Sequence, residues 1–484
     1  MDDWHVRELG RVSDCDSTVR LLFASLILFP LVAGAVSWPL KINAGNRYLE
    51  DQSGTPFFIM GEAPWSRIIA NTTNEWKEYL TNRLNKGWNT VLVQIEAADA
   101  YLPSPPANVN GVNPFNPAES ITNPQAAYYA HIDTQIQSAK DMGFLVIAVP
   151  LYSGYFDGDG WQDEAVTAGT NNCYAHGVYL GGRYHATNFG NIMWMIGHDM
   201  RLANTTSAKT NVYNYLKLGL LAADSTTLYS AGGHEDYGPI GSDSQYGDAE
   251  FGNFIDVDNL YNWKTNFAAA GHTAWGQGKP FWGMEGKYEN EDATQLRLRA
   301  QSYQSVLSGG CGTTTYGEES IWNGSVAWST AETHLDDEGA VDQGYVGNLF
   351  RSRRWWNMVP DTTGTFRTSA ASSLINYRAA RFSTETGIVY IPEGSGAGAV
   401  SIDMGEITGT TANCYWFNPR DGTSSFIGAY DSSGSRNFTA SDGNDWVLVI
   451  DNAAASGLDV PGGDPVVETS VARSATVSGT FRAY

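Results

Sequence analysis

The sequence predicts an α/β fold: a (β/α)8 TIM barrel followed by a small antiparallel β-sandwich domain. Three observations carry the prediction. After about Trp38, eight short apolar runs alternate with amphipathic segments, the pattern of parallel strands joined by helices. From about Leu374 the runs shorten, alternate in polarity and end at Gly, Pro, Asn or Asp, which is the pattern of antiparallel strands. The length, 484 residues, accommodates one large barrel and one smaller domain. The chain is therefore read as a hydrophobic leader (1–37), a barrel (38–370), a β-sandwich (371–452) and a tail or linker (453–484).

In order, the barrel strands are expected at PFFIM (Pro56 to Met60), TVLVQI (Thr90 to Ile95), FLVIAVP (Phe144 to Pro150) and NIMWMI (Asn191 to Ile196). They continue at TTLYS (Thr226 to Ser230), NFIDV (Asn253 to Val257), PFWGM (Pro280 to Met284) and GTTTY (Gly312 to Tyr316). Each is a short, mostly apolar run of the length a buried strand needs. Between the first two, TNEWKEYLTNRLNKG sets Trp76, Tyr79, Leu80 and Leu84 at helical spacing, opens on a Thr and closes at Gly87. Weaker helical patterns run over Gln125 to Met142, Val212 to Ala223, Asp292 to Ser308 and Val341 to Asn357. TGIVYIPEG, AVSIDMG, ANCYWFNPRDG and DWVLVID supply the sandwich strands.

Hydrophobic residues make up 42 % and aromatics 12 %, with 16 Trp and 25 Tyr, a globular composition whose aromatic surplus serves either core packing or stacking on sugar rings. With 29 Lys and Arg against 52 Asp and Glu the formal net charge is −23, a field that repels phosphate backbones and anionic membranes, so nucleic acid is not an expected partner. Cys15, Cys173, Cys311 and Cys414 show neither C-x-x-C nor metal-finger spacing and read as buried thiols.

Residues 21–36, LLFASLILFPLVAGAV, are too short for a comfortable membrane span and end in Ala33, Gly34 and Ala35, small residues of the kind signal peptidase prefers. The expectation is export to a secreted, cell-surface or periplasmic location, with no stable membrane insertion after the leader is removed. Asp2, Asp3, Glu8, Asp14 and Asp16 ahead of the run depart from the basic start of a signal, which keeps a misassigned start codon and an uncleaved anchor as the alternatives. Nothing in the residues speaks to oligomeric state.

In a TIM barrel the side chains that follow the carboxyl ends of the strands converge on one mouth. Here they are Glu62 and Trp65, Glu96, His198 and Asp199, then His234, Glu235 and Asp236, Asp258 and Asn259. Glu285, Lys287, Tyr288 and Glu289 follow strand seven, and Glu318 and Glu319 follow Tyr316. A mouth of carboxylates and aromatics fits glycoside hydrolysis, in which one carboxyl protonates the leaving oxygen while another attacks the anomeric carbon or activates water. Asp199 after strand four and Glu285 after strand seven are the expected catalytic pair. Glu62, Trp65, Glu96, His198, His234, Asp258, Tyr288, Glu289 and Tyr316 are candidate contacts to a polysaccharide or oligosaccharide. This chemistry requires no metal and no organic cofactor.

Each candidate has a structural alternative. Asp199 fits the N-cap of a helix beginning near Met200, and Glu285 fits a rim ion pair with Arg183 or Lys287. Glu62 and His234 fit local hydrogen bonding, and Trp65, Tyr288, Tyr316 and Trp322 divide between sugar stacking and core packing. For the whole chain the rival is a non-catalytic glycan-binding or surface-attachment protein that keeps the barrel as a scaffold.

The stretches NAGNRYLEDQSGTPFFIMGEAPWS, YLTNRLNKGWNTVLVQ, NIMWMIGHDMR, KPFWGMEGKYEN, SGGCGTTTYGEESIWN, RWWNMVPD, YWFNPRDG and DWVLVID together resemble glycoside hydrolase family 140 over about residues 38–452. These are apiosidase-like TIM barrels with a C-terminal β domain named for collagen binding. The resemblance implies a retaining, exo-acting hydrolase with Asp199 as acid/base and Glu285 as nucleophile. Three places depart from the family's pattern. Gly61-Glu62-Ala63-Pro64-Trp65 stands for Gly-Asp-Thr-Ala-Trp, Gly197-His198-Asp199 for Gly-Gly-Asp, and Met284-Glu285-Gly286 for Gly-Glu-Pro. Both carboxylates are kept while the frame around them changes, which leaves the sugar open.

Overall fold

A computed structural model describes residues 36–98, 101–154, 160–200, 207–233, 255–262, 267–369, 377–392 and 399–466. The leader up to Ala35, Cys15 within it, the run His234 to Asp236, and the tail beyond Val466 lie outside the described residues. Among the described residues no helix is long and apolar enough to cross a membrane. Cys173, Cys311 and Cys414 are buried free thiols, as expected.

Eight parallel segments close a ring. β1 (Gly61–Glu62), β2 (Thr90–Gln94), β3 (Leu145–Val149), β4 (Ile192–Met200) and β5 (Leu228–Gly233) pair in chain order. β6 (Asp258–Tyr261) pairs with β7 (Phe281–Glu285), and the N–H groups of Asp256 and Val257 bond Tyr229 O to tie β6 to β5. β8, residues 312–316, closes the ring through bridges from Thr314 to Gly283 on one side and from Gly312 and Tyr316 to Ile59 and Glu62 on the other. Val91, Leu92, Val93, Val146 and Ile147 are fully buried, which is what strands covered on both faces by a barrel interior and outer helices require.

The first and sixth strands differ from the sequence reading. Pro56–Phe57 ends a three-stranded antiparallel meander with Lys41–Ile42 and Leu49–Glu50, and the barrel strand follows it. The sixth strand is DNLY, just after the expected NFIDV, because Asp258 and Asn259 enter the ladder opposite Phe281 and Trp282.

The helix α1 (Thr73–Asn85) forms where its punctuation places it. Thr72 Oγ1 accepts the Glu75 N–H and the Glu75 carboxylate accepts the Thr72 N–H at 2.7 Å, a reciprocal cap, while Trp76, Tyr79 and Leu80 bury the apolar face. α2 (Ala126–Asp141), α4 (Ser207–Ala223), α6 (Gln295–Leu307) and α7 (Glu338–Arg351) correspond to the weaker patterns. α3 (Thr170–Arg183) and α5 (Phe267–Gln277) left no such pattern. In α3 the reason is close packing through glycine rather than an apolar stripe: a Cβ at Gly177 would lie 2.1 Å from Leu216 O on α4.

The C-terminal region is all antiparallel. β9 (Val359–Pro360), β10 (Ala380–Phe382), β11 (Thr386–Ile391), β12 (Val400–Asp403), β13 (Thr411–Phe417), β14 (Ser424–Asp431), β15 (Ser435–Phe438) and β16 (Trp446–Asn452) make a six-stranded sheet, ordered β9-β10-β11-β16-β13-β14, and a β12-β15 ribbon. The sheet thus begins at Val359, ahead of residue 371. Alternation assigns its faces. Val389, Ile391, Leu448 and Ile450 pack on Val400, Ile402 and Phe438 of the ribbon, while Ile388, Tyr390, Val447 and Val449 join the barrel's core.

The junction also carries buried charge. Arg299 of α6 donates to Asp342 of α7 at 2.7 Å and to Asp445 beside β16 at 2.8 and 3.1 Å, and Asp445 accepts from the Tyr390 hydroxyl at 3.0 Å. Tyr303 stacks on Tyr390 with ring centroids 4.7 Å apart. Removing one partner of such a network strands the other in a dry site. Asp445→Ala is therefore expected to lower stability by about 3 kcal/mol. The check is the urea midpoint of unfolding, and a change below about 1 kcal/mol would show that the β domain is held by its apolar face alone.

Candidate active site

The decisive irregularity is in β4. Its pairing with β5 runs from Ile196 opposite Ala231 to Met200 opposite Gly233, so four residues on one strand advance against two on the other. In the resulting bulge Gly197 has φ of +62° and Asp199 of +60°. A left-handed aspartate carries strain on the order of 1–3 kcal/mol and is characteristic of places where a strand must re-aim a side chain. Gly232 of β5 lies against the bulge, where a Cβ would meet Gly197 O at 2.3 Å. Glu285 needs no such device, since it is the last residue of β7 and pairs with Tyr261 at the end of β6.

Together these put His198, Asp199 and Glu285 into one buried cluster in which an atom of each lies within 4.8 Å of the others. Asp199 accepts from two phenols, Tyr261 through Oδ1 at 2.7 Å and Tyr152 through Oδ2 at 2.8 Å. Glu285 Oε2 is 2.9 Å from His198 Nε2, and the carboxylate also bonds the Tyr288 hydroxyl, which accepts from Trp65 Nε1 at 3.0 Å. His198 Nδ1 is 3.4 Å from Asp199 Oδ2. The imidazole lies between the two acids with its ring against Trp65, centroids 4.0 Å apart.

Burial raises the Glu285 carboxyl to about 7; the nearby Asp199 charge adds to the rise, while the bonds from His198 and Tyr288 oppose it. Burial, reinforced by the negative charge of Asp199, holds the Tyr261 phenol well above its ordinary value, so it remains a donor. Tyr288 is raised in the same way by burial and by Glu285.

Of the residues expected from sequence, Trp65, His198, Asp199, Glu285 and Tyr288 meet here. Asp199 lies within a strand rather than at a helix N-cap, Arg183 pairs with Asp133 at 2.6 Å and Lys287 pairs with Asp292. Trp65 packs its ring against His198.

The other candidate contacts are placed differently. Glu62 is fully buried as the partner of Arg83 and of the Tyr79 hydroxyl. Glu96, also fully buried, accepts from His176 at 2.9 Å, Tyr129 and the Leu151 N–H. Asp258 opens β6 opposite the first residue of β7, at the amino end of the barrel and away from the mouth. Glu289 caps α7 through the Gly339 N–H at 3.1 Å and binds the Tyr316 hydroxyl, so both it and Tyr316 belong to the wall. His234 lies outside the described residues.

Tyr152 and Tyr261 were not among the expected site residues. Tyr152 follows strand three by a few residues, a position that the strand-end rule covers. Tyr261 became visible only with the corrected register of β6.

Among the described residues, two groups offer His and carboxylate atoms in metal-ligating proximity, the His198 cluster and Glu318, His334 and Asp337. In both the atoms are already engaged in hydrogen bonds, in the second through Asn290 and the Ile321 N–H. A barrel with two facing carboxylates at the ends of β4 and β7 has the layout of a glycoside hydrolase. The chain belongs to the apiosidase-like family: the description "Apiosidase-like, catalytic domain" matches residues 43–357, and "Putative collagen-binding domain of a collagenase" matches residues 359–451, the stretch from β9 into β16. A solved structure titled "Glycoside hydrolase" is 21 % identical with a TM-score of 0.72, covering 87 % of this chain and 98 % of its own. A glycoside hydrolase family 5 protein from Bacteroides vulgatus ATCC 8482 is 21 % identical with a TM-score of 0.70, covering 88 % of this chain and 96 % of its own. Among curated proteins none matches the sequence.

Proposed function

We propose that this chain is a retaining glycoside hydrolase acting on a polysaccharide or oligosaccharide after export, with Asp199 as acid/base and Glu285 as nucleophile. The observation that carries the reading is the carboxylate separation. Oxygens of Asp199 and Glu285 lie within 4.8 Å. A nearest-oxygen bound of this size favours the ~5–5.5 Å carboxyl spacing of retaining enzymes over the ~6.5–9.5 Å that inverting enzymes need to seat a water between the acids.

Two effects oppose each other at Glu285. Burial favours its protonated form, whereas His198 Nε2 and the Tyr288 hydroxyl favour its ionised form. Like charges this close do not both ionise freely, and the Asp199 charge adds to the rise at Glu285. In the proposed reaction the Asp199 carboxyl gives a proton to the glycosidic oxygen as the Glu285 carboxylate attacks the anomeric carbon. Asp199 then takes a proton from the water that releases the sugar.

The test is an NMR time course of product anomers on a glycan that the wild type cleaves. Retention appears as initial product of the same anomeric configuration as the substrate, and initial appearance of the opposite anomer rules the mechanism out. Binding of glycans by both wild type and Glu285→Gln without turnover by either would support a non-catalytic attachment protein instead.

A further inference from the structure

Resting on that reading, we propose that His198 is the positioning residue that stores the catalytic proton, held as an imidazolium between Glu285 and Asp199 and exchanging that proton with Asp199. The placement argues for it. Nε2 is 2.9 Å from Glu285 Oε2, and Nδ1 is 3.4 Å from Asp199 Oδ2, an ion-pair distance a few tenths of an ångström beyond a hydrogen bond. Among the described residues, the ion-pair partner found for each of the two carboxylates is His198.

The groups facing the ring come from several elements: Asp199 on its own strand, Glu285 at the end of β7, Tyr261 at the end of β6, Tyr152 after β3 and Trp65 after β1. Tyr288 reaches it through Glu285. Among the described residues none of the groups facing the ring is basic and two are acids, and that charge favours the protonated ring while desolvation opposes it. The bulge that strains Asp199 is also what inserts the imidazole. A glycine at this place, as in the Gly-Gly-Asp pattern, has no group to put there.

The protons balance over one turnover. Imidazolium gives its Nδ1 proton to Asp199, leaving a neutral ring whose Nε2–H stays on Glu285. Asp199 passes the proton to the leaving oxygen as Glu285 forms the glycosyl ester. When water attacks that ester, Asp199 takes one proton from it and returns it to Nδ1.

The test uses the full chain and does not depend on a known substrate. Long-range proton–nitrogen NMR spectra of its 8 histidines, with His198 assigned by its disappearance in His198→Gln, report ring charge and tautomer across pH. The expected result is an imidazolium at neutral pH whose midpoint falls by about one pH unit or more in Glu285→Gln. A ring that is neutral at pH 6–7, or whose midpoint ignores Glu285→Gln, overturns the proposal.

A second arm addresses catalysis on an aryl glycoside that the wild type cleaves. His198→Gln, which keeps an N–H for Glu285, is expected to lower kcat about tenfold or more with KM little changed and to move the alkaline limb of the pH profile. Free imidazole is expected to restore rate to His198→Ala. An unmoved limb without rescue indicates a packing role and counts against the proposal. Absence of any glycosidase activity bears instead on the proposed function, and the NMR titration still decides the state of the ring.

Discussion

Glu285→Gln is expected to abolish turnover and at the same time to make the protein more heat-stable above pH 7. On the proposed mechanism the substitution removes the nucleophile and with it the covalent route, so a fall in kcat on the order of 10⁴-fold or more is expected. The stability effect follows from linkage. Burial raises the folded-state carboxyl from 4.5 to about 7. A group raised in the folded state contributes stability that is fully present below its unfolded value, near 4.5, and is lost as pH rises through about 7. Glutamine mimics the protonated form at every pH. Above pH 7 the variant therefore recovers what the wild type gives up, roughly 3 kcal/mol, and near pH 4.5 the difference closes. Thermal unfolding at pH 8 and pH 4.5 checks this. A variant less stable than wild type at pH 8 would mean that the ionised carboxylate is well satisfied by His198 and Tyr288, and that the cluster is not strained in its resting state.

Asp199 and Glu285 were legible because the strand-end rule for barrels is local: each follows an apolar run that the sequence displays. The same rule selected Glu62, Glu96 and Glu289, whose surroundings depend on partners that no local pattern encodes. Their partners Arg83, His176 and the Gly339 N–H are distant in the chain or on outer helices, and only the fold reveals that those carboxylates are spent on the wall. A carboxylate aimed at the mouth and one paired behind it look alike in sequence. His198 lay among the expected contacts, but its position between two acids depends on the bulge at Gly197, which shows as a register shift and not as a hydrophobic period. The barrel strands rested on buried apolar runs and stood, apart from the first, whose expected run ends in the antiparallel meander, and the shift at the polar start of β6. Helix α3 was silent because it packs through Gly177, where small size replaces an apolar face.

Asp199→Ala is expected to divide substrates by their leaving groups. An acid catalyst matters in proportion to the basicity of the departing oxygen, so kcat on a native glycan should fall about 10²–10⁴-fold while an activated aryl glycoside such as a dinitrophenyl ether loses far less. In the second half-reaction the missing carboxylate also fails as base, so the glycosyl ester on Glu285 accumulates and the aryl substrate shows a burst of phenol followed by slow release. The variant also removes the carboxylate that accepts from the Tyr152 and Tyr261 hydroxyls at 2.8 and 2.7 Å. Asp199→Asn, which keeps an acceptor for the phenols but cannot donate as an acid, separates the two effects. If both variants show the same dependence on leaving group, the deficit is in proton transfer. Equal losses on the native glycan and on the aryl glycoside would instead make Asp199 a strained support for the bulge, with the acid sought elsewhere in the mouth.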